Sequence, residues 1–296
     1  MPMQTEAPVG IIGLGLMGTA LSERLIGADI PVIGFDVDFA RCRKLRENRG
    51  TVAASVRELA SRSPAIVVAV YSGAQAEALF ADIANGREQT VICITTCSPD
   101  EILRLATLAS QAGIAFVEAP ISGTSAEARD GTATALIAGE SDAIEAVGPL
   151  LDIVCPRRIR AGQIGDASRT KLAINLILQN NRAALAEGIV FAERMGLDGS
   201  TFLATARQSA AYSRVMDTKG EKMLHRDFRP QSHLSQTLKD AELILEEATR
   251  RGLRLPVTET QADLLRAAIA IAGPDSDSST IIEAIRQSTA STEVSR

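Results

Sequence analysis

The sequence predicts an α/β domain built on a parallel sheet, followed by an all-helical domain joined to it by a long helix. From Val9 to about Cys155, short β-type runs alternate with stretches that carry apolar residues at helical spacing. Beyond Gly165 the strand signal disappears. Such alternation favours a parallel sheet covered by helices, because continuously apolar strands such as AIVVAV need cover on both faces. A chain of 296 residues is long enough for two ordinary domains.

In order, the strand candidates are VGIIGL, PVIGFD, AIVVAV, TVICITT, IAFVEAP and TATALIAG. Between them lie the helical stretches ALSERLIGA, FARCRKLRE, AQAEALFADIA and SPDEILRLATLASQAG. KLAINLILQNNRAALAEGIVFAERMGL then predicts a helix of about 27 residues, long for a globular domain, with Gly196 as its C-cap. Later helices are expected around SHLSQTLKDAELILEEATRRG, TETQADLLRAAIA and STIIEAIRQS. The boundary falls near 162–166, giving domains over 1–164 and 165–296, and STASTEVSR reads as a frayed tail.

Hydrophobic content of 46% and charged content of 23% describe a soluble globular protein. The net charge of −5 argues against a nucleic-acid groove, so a bound phosphate needs a local explanation. Cys42, Cys93, Cys97 and Cys155 show no CxxC pair and no histidine-bracketed metal spacing. They read as thiols in a reducing compartment, and no metal site is expected. MPMQTEAPVG lacks the features of a signal peptide and no apolar run approaches the roughly 18 residues that span a bilayer. A cytoplasmic protein without a membrane partner is expected.

Gly13-Leu14-Gly15-Leu16-Met17-Gly18 follows the first strand and opens the first helix. GxGxxG alone is weak, but between strand and helix it is a dinucleotide signature. Gly13 permits the tight turn, Gly15 lets the backbone approach a pyrophosphate, and Gly18 permits close helix packing. The helix N-terminus adds free amides and a favourable dipole. Asp36 ends the second strand, where a carboxylate accepts hydrogen bonds from an adenosine ribose and repels a 2′-phosphate. No Arg or Lys lies between Gly34 and Ala40, and Arg41 and Arg43 are expected to be turned away by the following helix. NAD is therefore preferred to NADP; the plainer alternative for Asp36 is a helix N-cap.

Lys171 and Asn175 lie four apart on one helix face, so both can reach one bound hydroxyl or carbonyl. Apolar neighbours predict a poorly solvated face, and burial lowers a lysine pKa by penalising its charged form. A lysine so placed can exchange a proton with substrate; the alternatives are an interdomain salt bridge or a snorkelling side chain. His225 and His233 lie away from every strand end and read as surface or interhelical residues.

VGIIGLGLMG, TTCSP (95–99), EAPISG (118–123), GTATALIAG (131–139), KLAIN (171–175), EGIVFAERMGLD (187–198) and LKD (238–240), taken together, resemble the beta-hydroxyacid dehydrogenase family. The resemblance runs from about residue 8 to 285. It implies an N-terminal Rossmann-type domain binding NAD and an all-helical substrate-cleft and oligomerisation domain, forming a homodimer or homotetramer. It also implies Lys171 as the catalytic lysine and Asn175 as a substrate-orienting residue. Ser122 and Gly123 would match the substrate-carboxylate loop, with Thr124 an added donor. Thr96 would lie near nicotinamide and substrate, and Lys239 would reach both cofactor and substrate with Asp240 supporting its helix.

Some positions depart from the family pattern. Thr124 replaces a usual second glycine, Ser232 a usual aromatic, and Gln236 an apolar residue; a more polar substrate or a rearranged helical contact would explain the last two. Tyr71-Ser72-Gly73 replaces the commoner Leu-Pro start of a cofactor-contacting loop, with Tyr71 either over the cofactor or buried between helices. With aromatics at 3%, a small polar 3-hydroxy acid or its semialdehyde suits the pocket better than a large aromatic substrate. Alternatives are an imine reductase-like enzyme, in which the residue matching Lys171 usually differs, and a non-catalytic dinucleotide-binding protein.

Overall fold

The structure is a computed structural model that describes residues 7–84 and 88–293. The chain divides into two compact units, Met1–Lys171 and Leu172–Arg296. Residues 1–6 of MPMQTEAPVG lie outside the described residues, as do 294–296 at the end of the expected frayed tail.

Unit 1 begins with β1 (Val9–Ile12), α1 (Leu16–Gly27), β2 (Val32–Phe35), α2 (Phe39–Glu47), β3 (Thr51–Val52), α3 (Val56–Arg62), β4 (Ala65–Val68) and α4 (Gly73–Ile83). It continues through β5 (Thr90–Cys93), α5 (Pro99–Gln111), β6 (Ala115–Glu118), β7 (Ile121–Ser122), α6 (Ser125–Asp130), β8 (Thr134–Gly139), α7 (Ser141–Ala146), α8 (Gly148–Val154) and β9 (Arg157–Gly162). The first six strands are parallel in the order β3-β2-β1-β4-β5-β6. Successive strand residues point to opposite faces. Ile11, Val67, Ile92 and Val117 enter one core with Leu21 and Leu25 of α1, while Ile12, Ile66, Val68 and Val91 enter the other with Leu59, Ile102 and Leu105 of α3 and α5.

The sheet is not wholly parallel. Between Glu118 and Thr134 the chain forms only β7 and the six-residue α6, and β8 returns antiparallel to both β6 and β7. β9, RRIRAG, was not expected as a strand, because its alternating arginines carry no apolar pattern. It lies parallel to β8 with its charged residues exposed, as suits a sheet edge.

α9 (Asp166–Arg194) is the predicted long helix, 29 residues in length, and the division between the units falls within it. Gly196 stops it at φ 82°, where the Leu197 amide donates to Ala192 O at 3.0 Å. Unit 2 continues with α10 (Gly199–Arg207), a π-type turn at Met216–Gly220, α11 (Glu221–Leu224), α12 (Leu234–Arg250), α13 (Pro256–Ala272) and α14 (Ile281–Glu293). α14 thus takes in most of the segment that reads as a frayed tail. Its core joins Ile189, Leu203, Met223, Leu234, Leu265 and Ile282.

Candidate active site

The strand order reverses between β1 and β4, and open α/β sheets bind ligands at the carboxyl ends of strands beside such a switch. Gly13 sits there at φ 94°, and a Cβ on it would lie 2.5 Å from Ala69 O. A Cβ on Gly18 would collide with the Gly13 carbonyl. The fold itself therefore requires both glycines. Gly15 differs: a Cβ would meet only the Arg41 guanidinium, at 4.0 Å. Packing does not require glycine here, and the open space suits a ligand that approaches the backbone closely. α1 also has neither a side-chain cap nor an acidic residue in its first turn, whereas α2 to α6 are each capped by a side chain. These features fit a pyrophosphate approaching the amides of Leu16 and Met17.

Asp36 is buried at the end of β2 and is not an N-cap; Asp38 caps α2 by accepting from the Ala40 amide at 2.8 Å. Asp36 Oδ2 accepts from the Leu14 amide at 2.7 Å, and Oδ1 from the Asp38 amide at 2.8 Å. The carboxylate thus fixes the glycine loop as well as closing the strand. Arg41 is not turned away: its Nη1 lies 3.3 Å from Asp36 Oδ2 because α2 starts at Phe39 and carries residue 41 back over the strand end. Val37 and Phe39 flank Asp36 with 87% and 88% exposure, an apolar pair that the sequence reading missed. Tyr71 follows β4 and is 44% exposed, so it is not buried between helices. Buried Thr95 donates to Val70 O at 3.1 Å, which ties the ends of β4 and β5 and sets half-buried Thr96 at the same sheet edge.

Ser122 ends β7, and Gly123 follows at φ 153°, where a Cβ would lie 2.8 Å from that of Ala133. Thr124 caps α6: its hydroxyl oxygen accepts from the Glu127 amide at 3.2 Å, while Glu127 Oε2 takes the Thr124 amide at 2.7 Å. The Thr124 amide is therefore already engaged. Lys171 is buried, and its Nζ donates to Ile121 O at 2.7 Å, which brings it to the residue beside Ser122. Glu118, fully buried at the end of β6, accepts from the Gly165 amide at 2.7 Å and from the Ser168 amide and hydroxyl at 2.5 Å. It anchors the first turn of the helix that carries Lys171. Burial raises its pKa, and these donors offset only part of the rise.

In unit 2, buried Asn175 donates Nδ2 to Asp240 Oδ2 at 2.9 Å. Asp240 Oδ1 pairs with Lys239 Nζ at 2.8 Å and accepts from Gln236 at 3.4 Å. One carboxylate of α12 thus orients both Asn175 and Lys239. Gln236 acts in this contact, and Ser232 in another, with its Oγ at 2.7 Å from Ser278 Oγ and 3.2 Å from Lys219 Nζ. Both Asp277 oxygens bind Lys219 at 2.8 Å. Burial lowers the Lys219 pKa to about 8 against the pull of Asp277. Lys171, Asn175, Gln179 and Arg182 recur at helical spacing as buried polar residues, a periodicity visible in the sequence whose last two members were missed.

A glycine-rich turn at the switch point of a parallel sheet, followed by a helical unit, defines a two-part dinucleotide-binding oxidoreductase architecture. The chain belongs to the beta-hydroxyacid dehydrogenase family: residues 8–162 match the NAD binding domain of 6-phosphogluconate dehydrogenase, and residues 165–285 the NAD-binding domain of NADP-dependent 3-hydroxyisobutyrate dehydrogenase. It is 28% identical over 288 residues to 2-hydroxy-3-oxopropionate reductase of Escherichia coli (strain K12), covering 94% of this chain and 96% of the relative. Against 2-(hydroxymethyl)glutarate dehydrogenase of Eubacterium barkeri it is 26% identical over 297 residues, with 97% of each chain covered. The crystal structure of 3-hydroxyisobutyrate dehydrogenase from Salmonella typhimurium superposes with a TM-score of 0.84 at 25% identity, covering 94% and 99% of the two chains. Among the described residues no helix is long and apolar enough to cross a membrane.

Proposed function

We propose that the protein is an NAD-dependent oxidoreductase of small polar 3-hydroxy acids or their semialdehydes, with Lys171 as general acid and base. The observation that carries this is the buried Lys171 side chain beside the Ser122-Gly123 loop, its Nζ donating to Ile121 O at 2.7 Å. Bound NAD supplies the hydride acceptor. Neutral Lys171 takes the hydroxyl proton in oxidation, becoming the ammonium, and the ammonium form protonates the developing alkoxide in reduction. Asn175, one turn along α9 and oriented by Asp240, directs a hydrogen bond to the same oxygen. The Ser122 hydroxyl and Gly123 backbone hold the substrate carboxylate, and the Thr124 hydroxyl, whose oxygen caps α6, keeps its proton to donate. Thr96 lies toward the nicotinamide and substrate, Tyr71 packs over the cofactor, and Lys239 contacts cofactor and substrate.

NAD preference rests on Asp36, which accepts ribose hydroxyls and with Asp38 repels a 2′-phosphate. Arg41 offsets part of that repulsion. Residues 1–164 then form the NAD-binding domain, and 165–296 the substrate and oligomerisation domain of a homodimer or homotetramer. The buried cysteines suit a reducing, cytoplasmic setting. The test is NADH formation from 3-hydroxyisobutyrate, glycerate, serine and threonate, repeated with NADP. Turnover of at least one acid with a preference for NAD is expected; turnover of cyclic imines alone would overturn the reading, and a strong NADP preference would overturn the ribose assignment.

A further inference from the structure

Among the described residues, the interior of the helical unit holds one cation more than its carboxylates engage. Asp277 is saturated by Lys219 and by the amides of Gln231, Ser232 and Ser279. Asp240 is taken by Asn175, Lys239 and Gln236. Arg182 is left over. It is buried to the same degree as Asn175, and its Nε and Nη1 have no acceptor among the described residues. The guanidinium lies within electrostatic reach of Asp277 and Asp240, yet among the described residues it forms an ion pair with neither.

Arg182 follows Asn175 by seven residues, which places it on the same face of α9, two turns or about 10 Å further along the backbone. Long helical side chains sweep toward the helix N-terminus, so the guanidinium is carried back toward Asn175 and Asp240. Gln179, midway on that face, also has an unpartnered Oε1. A buried guanidinium without a counter-ion is among the costliest groups to retain, and orphaned buried donors call for a bound group. Neither polar departure on the neighbouring segments meets this demand: Ser232 is engaged by Ser278 and Lys219, and Gln236 by Asp240.

We propose that Arg182 receives a second carboxylate of the substrate, so that this chain selects 3-hydroxy acids whose side chain ends in an acid. The inference rests on the proposed roles of Lys171 and Asn175, which fix where the reacting hydroxyl lies. A carboxylate matches the guanidinium in charge and accepts two of its N–H groups. Its entry balances the buried charge. The spacing along α9 suits a side chain of about two methylenes between the carbon bearing the first carboxylate and the second acid.

Two probes isolate this contact. 3-Hydroxyisobutyrate and 2-(hydroxymethyl)glutarate share the reacting hydroxymethyl group and the adjacent carboxylate, and the second carries CH2CH2COO− where the first carries a methyl. The wild type with NAD is expected to favour the diacid at least tenfold in kcat/KM. Arg182→Met brings that ratio close to one, and Arg182→Lys keeps part of it. Calorimetry with glutarate, independent of turnover, should show at least tenfold weaker binding to Arg182→Met. Arg182→Met removes an uncompensated charge and should not lower Tm; if it fails to fold, Arg182→Lys serves in both assays. Equal kcat/KM for the two acids, or equal glutarate affinity in wild type and variant, would overturn the Arg182 assignment and leave the hydroxy-acid reading standing. Failure to turn over either acid counts against that earlier reading, and glutarate binding then decides Arg182 alone.

Discussion

A lysine Nζ that donates one bond to a peptide carbonyl is still able to exchange a proton, so the Lys171–Ile121 bond is compatible with proton transfer and not only with structure. The two roles separate on substitution. Lys171→Ala should remain folded, bind NAD with nearly parental affinity and lose at least about a hundredfold in turnover, the usual contribution of a positioned acid–base group. Loss of fold or of cofactor affinity, with residual turnover intact, would mark a structural lysine. Asp36→Ala should raise KM for NAD and relax its advantage over NADP, because the lost carboxylate also releases the Leu14 amide and frees Arg41 for a 2′-phosphate. Matched initial rates with both cofactors check this, and an unchanged ratio would remove Asp36 from cofactor choice. Both residues were legible because their signals are local: a strand end, a glycine turn, a four-residue spacing. Glu118 and Asp240 were not assigned these contacts from sequence, since their partners lie 50 and 65 positions away and only folding joins them.

Among the elements, α9 depends on a carboxylate outside itself. Glu118 accepts from its first turn, and burial holds its pKa above the ordinary 4.5. For an acid raised on folding, the native state binds the proton more tightly than the unfolded chain, so stability falls as pH rises from 4.5 through the raised value. Glu118→Gln lacks that titration. It should therefore be more destabilised relative to wild type below this window than above it, as urea unfolding at both ends would show; a difference that grows with pH would contradict the assigned shift. The π-type turn and α14 rely on the Lys219–Asp277 pair. Lys219→Met leaves Asp277 buried without its cation and should cost about 3–5 kcal/mol, part of which Lys219→Met combined with Asp277→Asn restores. Additive costs in unfolding measurements would argue against a coupled pair. Elements with an apolar period were readable in advance, whereas β9 was hidden because an arginine-rich edge strand is stabilised by one neighbour and solvent, leaving no hydrophobic pattern.

For the whole molecule, the change from alternating strands and helices to helices alone was legible because it is a change of period sustained over more than a hundred residues. Oligomeric state has no such signal in the folding pattern, since a surface that meets a second copy reads as an imperfect solvent face. α9 carries an exposed apolar stripe. Ile177 and Phe191 are 60% and 67% exposed and stand fourteen residues apart, with Ala184 exposed midway and Met195 one turn beyond Phe191. Four turns of one helix thus present an apolar stripe opposite its buried polar face, and contiguous exposed apolar surface marks interaction sites. A straight stripe on one helix can meet itself across a two-fold axis, each copy supplying the same residues, which makes a second copy the expected occupant. Sedimentation should give a dimer or tetramer at micromolar concentration. Phe191→Glu with Ile177→Glu should shift it to monomer while leaving the unit's core, which uses Ile189 and Val190 on the other face, intact. A wild-type chain that sediments as a compact monomer, or a double variant that still assembles, would show that this stripe does not join copies of the chain.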